Sequence, residues 1–175
     1  MGTWTTRLLV AAGVLLAVAF VVLGGAGGYL LWNRDQANAE EQTRVALGPC
    51  TGDLAPPDCG LAAQQIPKVF AYDFQTVERS LTDAYQFLTP GYRREFEERA
   101  TQDIIPQARE RQVISQANVV GSGVLDAQRD SASVMVFMNR TVTDKSKTPV
   151  YDGSRLRVDY VKVDGQWKIN FITPI

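Results

Sequence analysis

No charged residue occurs between Arg7 and Arg34. The stretch from Leu8 to Trp32 reads LLVAAGVLLAVAFVVLGGAGGYLLW. As a helix, its 25 residues would extend about 37 Å, at about 1.5 Å per residue. A bilayer core is roughly 30 Å thick, so such a helix crosses it with some tilt. Tyr29 and Trp32 at one end and Trp4 just before the other suit the headgroup level at both interfaces. Whatever else this chain folds into must then lie on one side of a membrane.

The rival reading is a cleaved signal peptide, for which Ala37-Asn38-Ala39 has the form of a cleavage site. The apolar run is longer than the roughly 7–15 residues of a signal core, which favours a retained anchor. Basic residues barely decide the orientation, with Arg7 on one side and Arg34 and Arg44 on the other. The short N-terminal tail and the cysteine pair favour a cytoplasmic N-terminus. Gly13, Ala17, Gly24 and Gly28 fall on one face of the helix and form a candidate packing face. The plainer reading is that small residues are common in membrane helices.

Beyond the anchor, Gly48 to Gly60 is dense in Gly, Pro and Asp, which is loop chemistry. It holds both cysteines, Cys50 and Cys59. A bridge between them would close a ten-residue ring and needs an oxidising compartment, in agreement with an extracytoplasmic domain. The alternative is two free thiols; the spacing is far from the C-x-x-C of redox pairs. The expected organisation is a cytoplasmic tail (1–7), a transmembrane helix (8–32), a linker with the cysteine loop (33–60) and an extracytoplasmic domain (61–175).

In that domain the apolar residues Ile66, Phe70, Phe74, Val77, Leu81, Ala84 and Leu88 recur at threes and fours. This predicts one amphipathic helix from about Gln65, with Pro67 in its first turn, to the break at Thr89-Pro90-Gly91. A second helix is expected over about 92–102, with i,i+4 pairs Arg93–Glu97, Arg94–Glu98 and Glu95–Arg99, and a third over about 105–116. The period then switches to two. Strands are expected at about 117–125, 131–142, 155–163 and 166–172, the last two joined by an Asp164-Gly165 turn. Pairing Val163 with Gln166 puts Tyr160 opposite Ile169 and Val158 opposite Phe171. Helices followed by strands with one apolar face predict an α+β domain, with about three helices packed on an antiparallel sheet of about four strands.

The residues resemble the Mce-associated membrane proteins of actinobacteria. The resemblance runs from the anchor to the C-terminus. It rests on Ala71-Tyr72-Asp73-Phe74, on Leu88-Thr89-Pro90-Gly91-Tyr92, on Ile105-Pro106, and on Arg157 to Ile169 around Asp164-Gly165 and Trp167. It implies an NTF2-like (SnoaL-like) cone on a curved sheet, in the cell envelope, acting as a non-catalytic accessory subunit of a lipid importer. Its implied partners are Mce-type transporter subunits or other envelope proteins, with the pocket free to take a lipid. The short N-terminal tail and the cysteine loop depart from the family's usual pattern.

Composition limits the chemistry. Lys and Arg number 18 against 19 Asp and Glu, so no net field draws the chain to nucleic acid. There is no histidine, which removes the commonest base at neutral pH and the commonest transition-metal ligand. No metal site, cofactor or catalytic group is expected. Asp73 is the nearest candidate for a base, and a helix-surface role suits it better. Asp159 is expected on the polar sheet face. Tyr72, Tyr85 and Tyr160 read as core or pocket-lining aromatics, and Arg109 and Arg111 as solvated helix charges. Two other classes stay open: a scaffold subunit of a secretion apparatus, and a small-molecule-binding or enzymatic cone.

Overall fold

The computed structural model describes residues 3–48 and 60–175, with side chains from residue 21 onward. Two compact units are present, Met1–Ala39 and Glu40–Ile175. Helix α1 (Thr3–Leu47) contains the whole of the expected span and continues past it. In the first unit, Val21, Val22, Leu23, Tyr29, Leu30, Leu31 and Trp32 are 62–73 % exposed. Consecutive helix residues point in different directions, so this part of α1 is apolar all round. Among the described residues no helix is long and apolar enough to cross a membrane. The expected span begins among residues whose side chains lie outside those described, as do Gly13 and Ala17. A Cβ added at Gly24 or Gly28 would meet nothing within 4 Å.

The second unit includes the end of α1. Leu47 is fully buried in its core, and the Thr43 hydroxyl donates to the Gln128 carbonyl at 2.8 Å. Gly60 returns the chain to the same point, because a Cβ built on it would overlap the Leu47 carbonyl. Gly48 and Gly60 therefore lie side by side. Cys50 and Cys59 fall in the sequence between these two glycines, outside the described residues. The expected bridge between the cysteines would bring a chain-entropy gain of roughly 2.5–3 kcal/mol. Thiol labelling of the denatured, unreduced chain should find no free cysteine; two labelled thiols would refute the bridge.

Helix α2 (Leu61–Phe70) buries Ala62, Ile66 and Val69. It does not continue to Leu88 as expected. Pro67 sits in its interior and cannot donate to the preceding turn. Past Ala71 the chain is extended, and Tyr72–Asp73 forms a short strand β1. The Asp73 carboxylate accepts from the Gln75 backbone N–H at 2.8 Å, a local bond that competes with helix. Helix α3 (Val77–Ala84) and a short 3₁₀ turn at Tyr85–Phe87 resume the apolar stripe. Helix α4 (Pro90–Arg99) is capped by Thr89, whose hydroxyl accepts from the Tyr92 N–H, and has Pro90 in its first turn. The expected i,i+4 pairs are not among the ion pairs within 4 Å; Arg93 instead lies over the Tyr85 ring at 4.9 Å. A π turn at Ala100–Ile104 leads to helix α5 (Ile105–Arg111), which stops earlier than expected at left-handed Gln112.

The sheet has five strands rather than four, in the order β1-β2-β3-β4-β5, every neighbouring pair antiparallel. The remaining strands are β2 (Ile114–Ala127), β3 (Ser131–Thr143), β4 (Val150–Val163) and β5 (Gln166–Pro174). The extra member, β1, is too short for any periodicity to reveal. Register shifts in β2, at Val119/Gly121 and Val124/Asp126, and at Asp159/Tyr160 between β4 and β5, bend the sheet. The turn between β4 and β5 is as expected, with positive φ at Asp164 and Gly165 and Val163 opposite Gln166. Tyr160 also faces Ile169 as expected. Beyond the bulge, however, Val158 faces Ile172 and not Phe171, which turns to Asp159 and is 45 % exposed.

Val134, Val136 and Met138 of β3 and Leu156, Val158 and Tyr160 of β4 form one buried face, which the helices cover. The Tyr160 hydroxyl has no hydrogen-bond partner among the described residues, and burial pushes its pKa far up. An unmet buried polar group is a cost. Tyr160→Phe should therefore hold or raise stability, by about 1 kcal/mol. A lower urea midpoint would show that the hydroxyl is bonded.

Candidate functional site

A partly open pocket of about 340 Å³ lies between the helices and the apolar face of the sheet. Met138 and Leu156 supply its sheet side, Val69 and Leu81 come from α2 and α3, and Phe96 comes from α4. The π turn has a consequence here: Arg99 just before it and Ile104 at its end both line the cavity. A second, larger concavity of about 490 Å³ between Pro67, Ser80 and Phe87 is an open surface groove.

The polar part of the pocket's lining is Tyr72, Arg99, Arg140 and Ser154. Arg140 continues the inward parity of Val134, Val136 and Met138 on β3, and Asp152 lies directly opposite on β4. Its Nη2 donates to Asp152 Oδ2 at 3.0 Å, and Ser154 Oγ donates to the same oxygen at 3.0 Å. Arg140 Nε is buried and has no partner in the described structure. Leaving such a donor unmet costs about 1–3 kcal/mol, so a strand end optimised only for stability would not keep it.

The Tyr72 phenol is pushed up by burial, against the opposing pull of the Arg140 and Arg111 guanidiniums. It is therefore a neutral hydrogen-bond donor at any physiological pH. Burial also raises Tyr92, opposed by Arg99 and by a backbone hydrogen bond from Ile172.

The residues singled out in the sequence disperse. Asp73 caps its own turn, and Asp159 accepts from Ser133 Oγ at 2.6 Å and Arg157 Nε at 3.0 Å on the other face of the sheet. Arg109 pairs with Glu78 at 3.1 Å and Arg111 with Asp144 at 3.0 Å. Bonds from Ser146 and Arg111 bring Asp144 down to about 2. A lowered folded pKa makes this contact's contribution complete above the ordinary value of 3.8 and lost as the pH falls through about 2. Of the three tyrosines, only Tyr72 reaches the cavity. Arg99, Arg140 and Ser154 were missed, although the parity of β3 alone carries a charge onto its apolar face at position 140. Among the described residues no group of three His, Cys, Asp or Glu could hold a metal ion.

A scan of protein families finds no match to the chain. Two relatives come from Mycobacterium tuberculosis. The uncharacterised protein Rv1362c is 28% identical over 163 residues, covering 93% of this chain and 70% of the relative. The outer membrane protein Rv1973 is 27% identical over 172 residues, covering 95% and 97%. Among solved structures, an IcmL-like type IV secretion system protein from Legionella pneumophila aligns with a TM-score of 0.56 at 9% identity, over 65% of this chain and 88% of that one. A periplasmic fragment of TraM aligns at 0.53 with 8% identity, over 65% and 90%. At these identities the likeness is one of fold: helices on a curved antiparallel sheet.

Proposed function

We propose that the chain is a non-catalytic, membrane-anchored scaffold subunit of a multiprotein complex in the cell envelope, with its C-terminal domain on the extracytoplasmic side. The observation that carries this reading is the fold, which aligns with the IcmL-like secretion protein over 65% of this chain and 88% of that one. The all-round apolar surface of residues 21–32 supports an anchor, since large exposed apolar patches mark membrane or protein contacts. The outer membrane name of one mycobacterial relative supports an envelope location. A lipid-importer complex of Mce type is the second reading, and the largely apolar pocket favours it.

Affinity purification of the tagged chain from native membranes, followed by mass spectrometry, tests both. Recovery of secretion-apparatus subunits supports the first reading and importer subunits the second; a chain recovered without envelope partners overturns the scaffold role. A subunit that works by binding needs no carboxylate for chemistry. Asp73→Asn and Asp159→Asn should each retain function in a complementation assay at normal protein level. Complete loss in a folded, membrane-located variant would reinstate an enzymatic cone.

A further inference from the structure

We propose that the partly open pocket binds a single acyl chain carrying an anionic head, with the head held between Arg140 and Tyr72. This goes beyond the scaffold role and does not depend on it. The pocket is mixed chemically: Phe96, Met138 and Leu156 supply apolar lining, while Arg99, Arg140 and Tyr72 supply polar groups. None of its lining residues is a carboxylate.

Charge sets the sign of the ligand. Asp152 engages Arg140 through Nη2 alone, and the buried Nε–H is left with nothing to bond. Arg111 is already matched by Asp144. Across the whole lining, Arg99 and Arg140 against the Asp152 that pairs with Arg140 leave one positive charge in excess. An anionic oxygen placed there accepts from the Arg140 guanidinium and from the neutral Tyr72 phenol, both charge-compatible donors. An uncharged head satisfies the geometry but leaves the charge unmet.

Volume sets the chain number. About 340 Å³ is at the lower end of the roughly 300–1,000 Å³ of ordinary ligand pockets. That accommodates one acyl chain and not the two of a phospholipid. A fatty acid and a lysophosphatidate share this chemistry and differ only in the head.

The test uses the full chain in lipid nanodiscs with a palmitic acid bearing a diazirine near its tail. Photolysis and peptide mapping locate the adducts, and unlabelled palmitate, lysophosphatidate and hexadecanol compete. The expected result is an adduct on the peptides holding Phe96, Met138 or Leu156, displaced by an anionic competitor at about tenfold lower concentration than by hexadecanol. Palmitate acting alone identifies a carboxylate head, and lysophosphatidate acting alone a phosphate head; either supports the proposal. Arg140→Gln should abolish the preference over hexadecanol. Adducts confined to α1, hexadecanol competing equally in the unaltered chain, or a folded Arg140→Gln chain that keeps the preference would each overturn it. The comparison on the unaltered chain decides even where the variant does not fold.

Discussion

Replacing Gly60 with alanine is expected to destabilise the second unit by about 3 kcal/mol or more, at or above the usual cost of overpacking. The cause is not backbone conformation: Gly60 has φ −60° and ψ 167°, which any residue adopts. It is contact. The new Cβ would fall on the carbonyl of Leu47, which is backbone and cannot swing away as a side chain would. Relief requires moving either Leu47 or the start of α2, where Ala62 and Ile66 are fully buried. Both elements belong to the core, so the strain spreads into packing that has little room to give. Gly91→Ala is the internal control. It lies in α4, its Cβ would meet nothing within 4 Å, and alanine there should gain up to about 1 kcal/mol. Urea denaturation followed by circular dichroism should thus give shifts of opposite sign for one chemical change. A Gly60→Ala midpoint equal to that of the native chain would mean that Leu47 and Gly60 do not meet.

What the sequence reveals follows the range of each interaction. Asp164-Gly165 was legible because a two-residue hairpin depends on its own φ angles, which these residues tolerate. Thr89-Pro90-Gly91 was legible as a break between helices, although α4 opens at Pro90 and not at the expected residue 92. The pairing of β4 with β5 was right from Val163 to Tyr160 and then slipped, because the bulge at Asp159/Tyr160 has no local signature. The continuous helix from Gln65 to Leu88 failed for a tertiary reason. Its apolar stripe is real, since Ile66, Val77, Leu81 and Leu88 share one core, but two segments deliver it. The interruption at Tyr72–Asp73 is held by bonds to residues far along the chain: Ser115 Oγ donates to the Phe70 carbonyl at 2.8 Å, and Phe74 N–H to the Val113 carbonyl at 3.0 Å.

The cavity was the least legible part. Its lining comes from three helices, a π turn and four strands, and no window of sequence contains it. The acidic and aromatic residues that drew attention did so by chemical type, and type alone put Asp73 and Asp159 ahead of Arg140. Alternation on β3 was the better guide. Once Val134, Val136 and Met138 are assigned to the buried face, the same period places Arg140 there, opposite Asp152. A charge on an apolar face needs a reason, and the cavity supplies one.

Trp167→Ala is expected to cost about 3–5 kcal/mol, the range for large-to-small aromatic changes in a core. Trp167 is 8 % exposed and lies directly opposite Lys162, whose ammonium stands 5.5 Å from the ring centre. The indole closes the core next to the hairpin turn, two residues before fully buried Ile169. Ile169 does more than fill space: its carbonyl accepts from the Thr89 N–H at 2.9 Å, and Thr89 caps α4. A hole at Trp167 therefore loosens the strand that anchors α4, and α4 carries Tyr92, Phe96 and Arg99 of the cavity. Two results should appear together in Trp167→Ala: a lower urea midpoint by circular dichroism, and faster amide exchange in α4 than in α2, which packs against β2 instead. Trp167→Phe, which keeps an aromatic ring in place, should lose distinctly less. An unchanged midpoint would mean that Trp167 is not part of the core. A lowered midpoint with α4 and α2 exchanging alike would sever the link from β5 to the cavity.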